Sequence, residues 1–288
     1  MTTAAGCAPP AHLKSIGLAE LTERAALQTR VDRKYVLPID EARSVIGQVG
    51  SDTMVLEIAG QRCFGYRSVY FDTPELTSYL LTAQRRRRRF KVRTRTYLDS
   101  AECWLEVKTQ GPRGNTVKDR LPYRPDHETS LSPGRQFVDD VLARESIEVG
   151  DRVFAPVLVT RYRRSTLFLA ATVSRVTIDT DLTWEGDSGP LRLPELAVIE
   201  TKTGSTASCV DRLLWARGHR PVRISKYATG LAALRPELPS APWRRTLRRH
   251  FTLLGAPTDG QAARSEVERV DFSLVASTVR PPSSTGTE

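Results

Sequence analysis

The feature that most constrains this chain is one alternation, repeated along many of the segments that read as strands. Successive side chains of a strand point to opposite faces. In F-K-V-R-T-R-T-Y (90–97), Lys91, Arg93 and Arg95 share one face and Val92 lies on the other. In E-C-W-L-E-V-K-T (102–109), Glu102, Glu106 and Lys108 oppose Cys103, Leu105 and Val107. Lys118 and Arg120 oppose Val117 and Leu121, and Arg175, Asp179 and Asp181 oppose Val176, Ile178 and Leu182. Glu200 and Lys202 share a face, as do Arg30, Asp32 and Lys34. A single charged face is usually the solvent side, but at least six strands repeat it here. Two arrangements fit. In one, an open sheet keeps a solvated outer face and packs its apolar face on helices. In the other, the sheet closes with the charged face inward, making a wet basic tunnel with helices over its apolar outside. Composition alone favours the first. Two observations favour the second. Arg stands on four of these six faces, and its planar fork grips phosphate bidentately. Several faces also carry a carboxylate, which a plain anion-binding sheet does not need and a divalent ion on a phosphate chain does.

The period-two segments are Arg30–Leu37, Gly65–Asp72, Arg87–Leu98, Glu102–Thr109, Thr116–Tyr123, Val157–Ala170, Ser174–Trp184 and Leu196–Lys202. Turn signals separate them at 99–100, 111–114 and 185–190. The spacing predicts a helix over Ser15–Leu27, one over Glu41–Val49 capped by Asp40, one opened by Ser132-Pro133 and ending near Arg144, and one opened by Ser205 or Thr206 and stopping at Gly218. No internal repeat is visible. The predicted fold class is α+β: an eight-stranded antiparallel β-barrel with helices packed outside. Residues 1–12 read as a flexible N-terminus, 13–239 as the domain, 240–255 as a basic amphipathic segment and 256–288 as a disordered tail rich in Ser, Thr, Pro and Gly. The segment Trp243–Leu254 reads first as a terminal helix with a solvated basic face, and second as a contact for a membrane surface or partner.

Lys+Arg is 43 against Asp+Glu 33, a formal charge of +10. That excess calls for a polyanionic partner: nucleic acid, an anionic surface or a phosphate-rich substrate. No apolar run reaches the length of a membrane helix, and Met1–Pro10 lacks a basic n-region. The four cysteines, Cys7, Cys63, Cys103 and Cys209, are far apart and form no C-x-x-C pair, which argues against a zinc site and a disulfide framework. The expected location is the cytoplasm, with membrane association only through a partner.

The motifs R-V-D-R-K-Y (30–35), Y-x-S-x-Y-F-D-T (66–73), K-V-R-T-R-T-Y (91–97), W-L-E-V-K (104–108), Y-R-R (162–164), R-V-T-I-D-T (175–180), I-E-T-K (199–202) and R-I-S-K-Y (223–227) are each weak alone. In this joint order the chain resembles a VTC-type polyphosphate polymerase domain of the triphosphate tunnel superfamily, over roughly residues 25–235. The resemblance implies an eight-stranded tunnel in which Lys34, Arg93, Arg95, Lys108, Arg164 and Arg175 hold phosphates. It implies the same for Lys118 and for Arg223, Ser225 and Lys226, and it adds Arg30, Arg161 and Lys202 to the phosphate-binding set. Glu200 matches the carboxylate that holds Mg²⁺ or Mn²⁺, and Glu106 is a second metal candidate. The implied substrates are ATP and inorganic polyphosphate.

Hydrolytic members of that superfamily carry Glu-x-Glu-x-Lys on the first strand, where this chain has Arg30, Asp32 and Lys34. Fewer carboxylates favour transfer over activation of water. The expected activity is a metal-dependent ATP:polyphosphate phosphotransferase. The alternatives are a tripolyphosphatase or nucleotide triphosphatase, and a non-catalytic polyphosphate or nucleotide binder. Nucleic acid is not the expected ligand, because Val and Thr, not aromatics, stand between the arginines. The run Arg85–Arg89 reads as a solvated stretch or as a basic tunnel mouth. Asp179 and Asp181 read as holders of arginine rotamers. Tyr66, Tyr70, Phe71, Tyr97 and Trp104 read as core and rim packing. Ser225 reads as a helix cap, with a phosphate at that N-terminus as the sharper version. The histidines have no ligand spacing. Any membrane-spanning or regulatory function would come from a separate membrane-protein partner.

Overall fold

Every segment marked by alternation forms a strand, with ends within three residues of those expected. The computed structural model describes residues 9–25, 31–111 and 116–251. Its strands in chain order are β1 (Lys14–Ile16), β2 (Val31–Pro38), β3 (Thr53–Leu56), β4 (Phe64–Asp72), β5 (Phe90–Tyr97), β6 (Glu102–Gln110), β7 (Thr116–Tyr123), β8 (Ala155–Leu169), β9 (Ser174–Gly186), β10 (Gly189–Leu193) and β11 (Leu196–Thr203). The main sheet runs β2-β11-β9-β8-β4-β5-β6-β7, with every neighbouring pair antiparallel. The hairpin partner β10 and the small pair β1–β3 hang off this path.

The helices are α1 (Leu18–Arg24), α2 (Ile39–Ile46), α3 (Thr77–Ala83), α4 (Arg135–Arg144), α5 (Cys209–Ala216), α6 (Lys226–Leu234) and α7 (Arg244–His250). Two apolar layers cover the outside of the sheet. Tyr35, Leu37, Val176, Ala197 and Ile199 pack on Val45 of α2 and on Val210 and Leu214 of α5. Val69, Val92, Leu105 and Val107 pack on Val138, Val141 and Leu142 of α4. The charged rows therefore face the other way, into the concave side of the sheet.

At one end that concave side is filled. Val36, Tyr70, Leu158, Leu182, Trp184 and Val198 meet Tyr227, Ala228 and Leu231 of α6, Tyr79 of α3 and Trp243 and Phe251 beside α7. The fit is close at Gly230, where a Cβ would lie 2.1 Å from Trp184 Cδ1. Tyr227 Oη donates to buried Asp72, which also accepts from the backbone N–H groups of Thr73, Ser78 and Tyr79. This one carboxylate ties α3 and α6 to the end of β4.

Among the described residues no ladder joins β2 to β7, so the sheet is barrel-like but not closed, which corrects the expected closed barrel. Val222 N donates to Lys34 O on the outer edge of β2 at 2.7 Å. From there Ile224 O accepts from Lys34 Nζ of β2, and Ser225 Oγ from Lys91 Nζ of β5.

Four local expectations are corrected. The N-terminal helix starts only at Leu18, because Lys14–Ile16 pair in parallel with β3 and bury Ile16 against Leu56 and Phe168. Asp40 does not cap α2; Pro38 holds that position, and Asp40 bonds Arg43 within the first turn. The cap of α5 is Ser208, which forms a capping box with Asp211, not Ser205 or Thr206. The 185–190 turn narrows to Asp187-Ser188, since Gly189 at φ 98° starts β10. Helix α7 buries Thr246 and packs Leu247 against the domain beside buried Trp243, and leaves its arginines outside. Among the described residues no helix is long and apolar enough to cross a membrane. The tail 256–288 lies outside the described residues.

Candidate active site

The register of β5, β6 and β7 assembles the first cluster. Arg93 stands opposite Glu106, and Glu106 opposite Arg120; Lys91 stands opposite Lys108, and Lys108 opposite Lys118. Glu106 is 1% exposed. Arg93 Nε and Nη2 both donate to its Oε2, at 2.8 and 2.6 Å, and Arg93 Nη1 donates to Tyr70 Oη at 2.9 Å. Lys118 Nζ is 3.4 Å and Arg95 Nη1 4.0 Å from Oε1. Burial pushes the Glu106 carboxyl up, but Arg93, Arg95, Lys108 and Lys118 outweigh it and hold it well below the carboxylate range. Glu106, a metal candidate by resemblance, is thus placed as a counter-ion: both its oxygens face protein cations.

A second cluster lies on β8 and β9. Arg164 stands opposite Asp179, which is 1% exposed. The guanidinium grips it bidentately, Nε to Oδ1 at 2.5 Å and Nη2 to Oδ2 at 2.8 Å. Lys226 Nζ, at the start of α6, donates to the same Oδ2 and lies 4.4 Å above the Tyr162 ring. Tyr162 stacks on Tyr66, and Arg164 sits 5.3 Å from both rings. Asp179 holds Arg164 in its rotamer as expected. Asp181 does not share that work, because a bulge turns the strand there, with φ 52°, and leaves it exposed. The aromatic rings of Tyr66 and Tyr70 do more than pack: they brace the site's arginines.

The third cluster is built differently. Across β2, β11 and β9, Glu200 faces Lys34 on one side and Thr177 on the other, while Lys202 faces Asp32 and Arg175. Glu200 is largely buried, and among the described residues its one ion pair within 4 Å is Lys202 at 3.9 Å. Burial raises its pKa, yet Lys34, Lys202 and Arg164 bring it down to about 2. It is ionised, inward and not gripped. A divalent ion shared with phosphate oxygens needs only one or two protein carboxylates, and Glu200 meets that requirement. Among the described residues no group of three or more His, Cys, Asp or Glu is placed to make an all-protein metal cage.

The remaining expected residues separate. Lys34, Lys108, Arg175 and Lys202 line the concave face with the clusters above. Lys118 stands at the open rim, 42% exposed. Arg161 lies on the opposite face of β8, because it is one residue out of phase with Tyr162, and pairs there with Glu185. Arg223 is exposed, and its carbonyl accepts from Thr246 Oγ1. Arg30 lies outside the described residues. Ser225 caps α6, accepting from Ala228 N at 3.2 Å. Two residues that the alternation put on these rows were not among the expected site residues. Lys91 belongs to the same alternating row as Arg93 and Arg95, which was the available signal. Arg120, on the row of Lys118, lies 4.5 Å over the Trp104 ring. Of the run Arg85–Arg89, the first four are solvated and Arg89 turns inward enough to act on Lys91.

These cations have too few anions. Lys91 is pushed down to about 7 by burial and then by Lys34, Arg93 and Arg89. Lys108 is driven well below its usual value by Arg93, burial and Arg95. Lys202 is lowered to about 8, chiefly by burial. A cavity that pushes its own lysines toward neutrality is short of negative charge.

Among solved structures, the chain is similar to an adenylyl cyclase-type protein from Hippeastrum described as having a dominant triphosphatase activity. That similarity has 17% identity and a TM-score of 0.44, and covers 70% of this chain and 94% of that one. It is also similar to a protein of Bacillus halodurans described as an adenylate cyclase, with 15% identity and a TM-score of 0.45, covering 70% of this chain and 96% of that one. No curated protein matches. The model of the VTC domain matches residues 29–235. The eight-stranded concave sheet, its inward arginines and lysines and this match lead to one conclusion: the chain belongs to the VTC domain family.

Proposed function

We propose that this chain is a polyphosphate polymerase, transferring the γ-phosphoryl group of ATP to the end of an inorganic polyphosphate chain held in the basic interior. Family membership supports the coarser statement, a function in polyphosphate or triphosphate chemistry. The observation that carries the finer one is the division of labour among three inward carboxylates, Glu106, Asp179 and Glu200. Glu106 and Asp179 are consumed in fixing arginines, and Glu200 alone stays open. Phosphoryl transfer needs positioned donor and acceptor and stabilised charge, with little covalent help. Arg93 and Arg164, locked by buried carboxylates, are preorganised for this and lose little freedom on binding. A terminal phosphate is already largely ionised near neutral pH, so no strong base is needed to extend a chain. Glu200 would hold a Mg²⁺ or Mn²⁺ ion, which would supply further charge neutralisation on the triphosphate. A membrane-protein partner belongs to the same proposal, and α7 offers it charge but no free apolar face.

The test is incubation of the full chain with ATP and Mn²⁺ or Mg²⁺, with and without a short polyphosphate primer, and resolution of products by gel. Long chains with ADP establish the polymerase. Free phosphate without chains moves the protein to hydrolysis. Neither product, with tight polyphosphate binding, identifies a binder.

A further inference from the structure

Three of the four tryptophans join apolar clusters: Trp184 and Trp243 at the filled end of the concave side, and Trp215 on α5. Trp104 joins none of the clusters formed among the described residues. It is half-buried and stands on β6 in the inward row of Glu106 and Lys108, with Arg95 across the strand on one side and Pro122 on the other. The inward tyrosines already have ring partners. Tyr66 stacks on Tyr162, Tyr70 stacks on Tyr227, and Tyr97 meets Tyr66 edge-on. Among the described residues Trp104 meets no other ring; the Arg120 guanidinium lies over it, 4.5 Å from the ring centre. Arg120 is exposed and forms no ion pair among the described residues. Beside it, Arg95 Nε is buried and has no acceptor among the described residues. A ring without a ring partner, flanked by two arginines with donors to spare, suits a ligand that is aromatic at one end and anionic at the other.

We propose that Trp104 is the platform for the base of the nucleoside triphosphate and that, with Arg120, it tells the nucleotide donor from the polyphosphate acceptor. Both substrates offer a phosphate chain to the same arginines and lysines, so the nucleoside is what can distinguish them. The base stacks on the Trp104 ring and the Arg120 guanidinium closes over the base, so that stacking and cation–π attraction act together. Along β6, Trp104 is two residues from Glu106, about 7 Å at the rise of a strand. A base seated there puts its α-phosphate beside Arg95 Nε and runs the rest of the triphosphate toward Arg93 and Lys108. This deepens the proposed function and rests on its binding of triphosphate in the interior.

The experiment titrates the full chain with two probes in Mg²⁺, tripolyphosphate and the non-hydrolysable β,γ-imido analogue of ATP, reading calorimetry and tryptophan fluorescence. Trp104→Leu is expected to weaken the ATP analogue about 5- to 150-fold and to leave tripolyphosphate affinity unchanged. In the wild-type chain the analogue quenches tryptophan emission and tripolyphosphate does not. Trp104→Phe keeps a ring, so it is expected to bind the analogue and to lose the quench, because the other three tryptophans lie in the apolar clusters. That variant answers the question even where Trp104→Leu does not fold. Equal loss of both probes in folded Trp104→Leu, full retention of the analogue there, or a quench that persists in Trp104→Phe overturns the proposal and leaves the basic-interior reading standing. Absence of tripolyphosphate binding to the wild-type chain overturns both.

Discussion

Two strands carry the same short pattern, Glu106-Val107-Lys108 on β6 and Glu200-Thr201-Lys202 on β11, and both point glutamate and lysine into the concave side. Their fates differ because of what lies across the strand. Opposite Glu106 stand Arg93 and Arg120; opposite Glu200 stand Lys34 and Thr177. Arg93 places two donors on Oε2, and Lys118 and Arg95 stand at Oε1, so cations face both oxygens. Thr177 brings no cation, so Glu200 keeps its oxygens for something else. The comparison teaches that a carboxylate in a basic cavity acquires its role from its cross-strand partner, not from its own motif.

The largest way to break the comparison is Glu106→Gln. It leaves Arg93 buried beside other cations without its counter-ion, and loss of one partner of a buried pair costs about 3–5 kcal/mol. Chemical denaturation is expected to show that loss, and a fall in tripolyphosphate affinity as Arg93 leaves its rotamer. Glu200→Gln should separate stability from chemistry. Its loss of stability is expected to be smaller than that of Glu106→Gln, because no donor grips Glu200 within hydrogen-bond distance, with tripolyphosphate affinity retained and metal-dependent product formation down about 100-fold. If both variants behave alike, the two carboxylates do not divide the work.

A third test uses pH. Lys91 at about 7 and Lys202 at about 8 lose protons in the free protein as pH rises past neutrality. A bound polyanion favours their charged forms, so binding takes up protons, and affinity for tripolyphosphate is expected to fall from pH 7 to pH 9 (calorimetry in buffers of different ionisation heat reads both). Stability moves the other way. An unfolded lysine titrates near about 10.4, so between about 7 and 10 the unfolded chain binds more protons than the folded one and these groups make stability rise with pH. The smallest effect concerns the arginine run. Replacing exposed Arg85–Arg88 by Gln is expected to change stability by no more than about 0.5 kcal/mol while slowing polyphosphate association at low salt, with the difference vanishing as salt is raised.

The strands that frame the site were legible because each carries its own period-two signal, and β7 was found to the residue. The strands β1, β3 and β10 were not. They are three to five residues long, too short to show a period, and exist because a neighbouring strand pairs with them. Among site residues the alternation correctly grouped Lys34, Arg93, Arg95, Lys108, Arg175, Glu200 and Lys202 on the concave face. It also placed Lys91 there, although the family pattern passed over it. Arg161 shows the limit of motif matching, since one step along a strand reverses the face.

By itself, the sequence determined that charged rows would share one surface of an antiparallel sheet and that this surface would seek a polyanion. Both follow from the two-residue repeat of an extended chain and from composition. Only the tertiary structure decided which way that surface curls, that α6 fills one end of it, that Lys91 meets Ser225, and which of three carboxylates stays open. Those outcomes depend on register and on distances between strands far apart in the chain, and a local repeat carries no information about either.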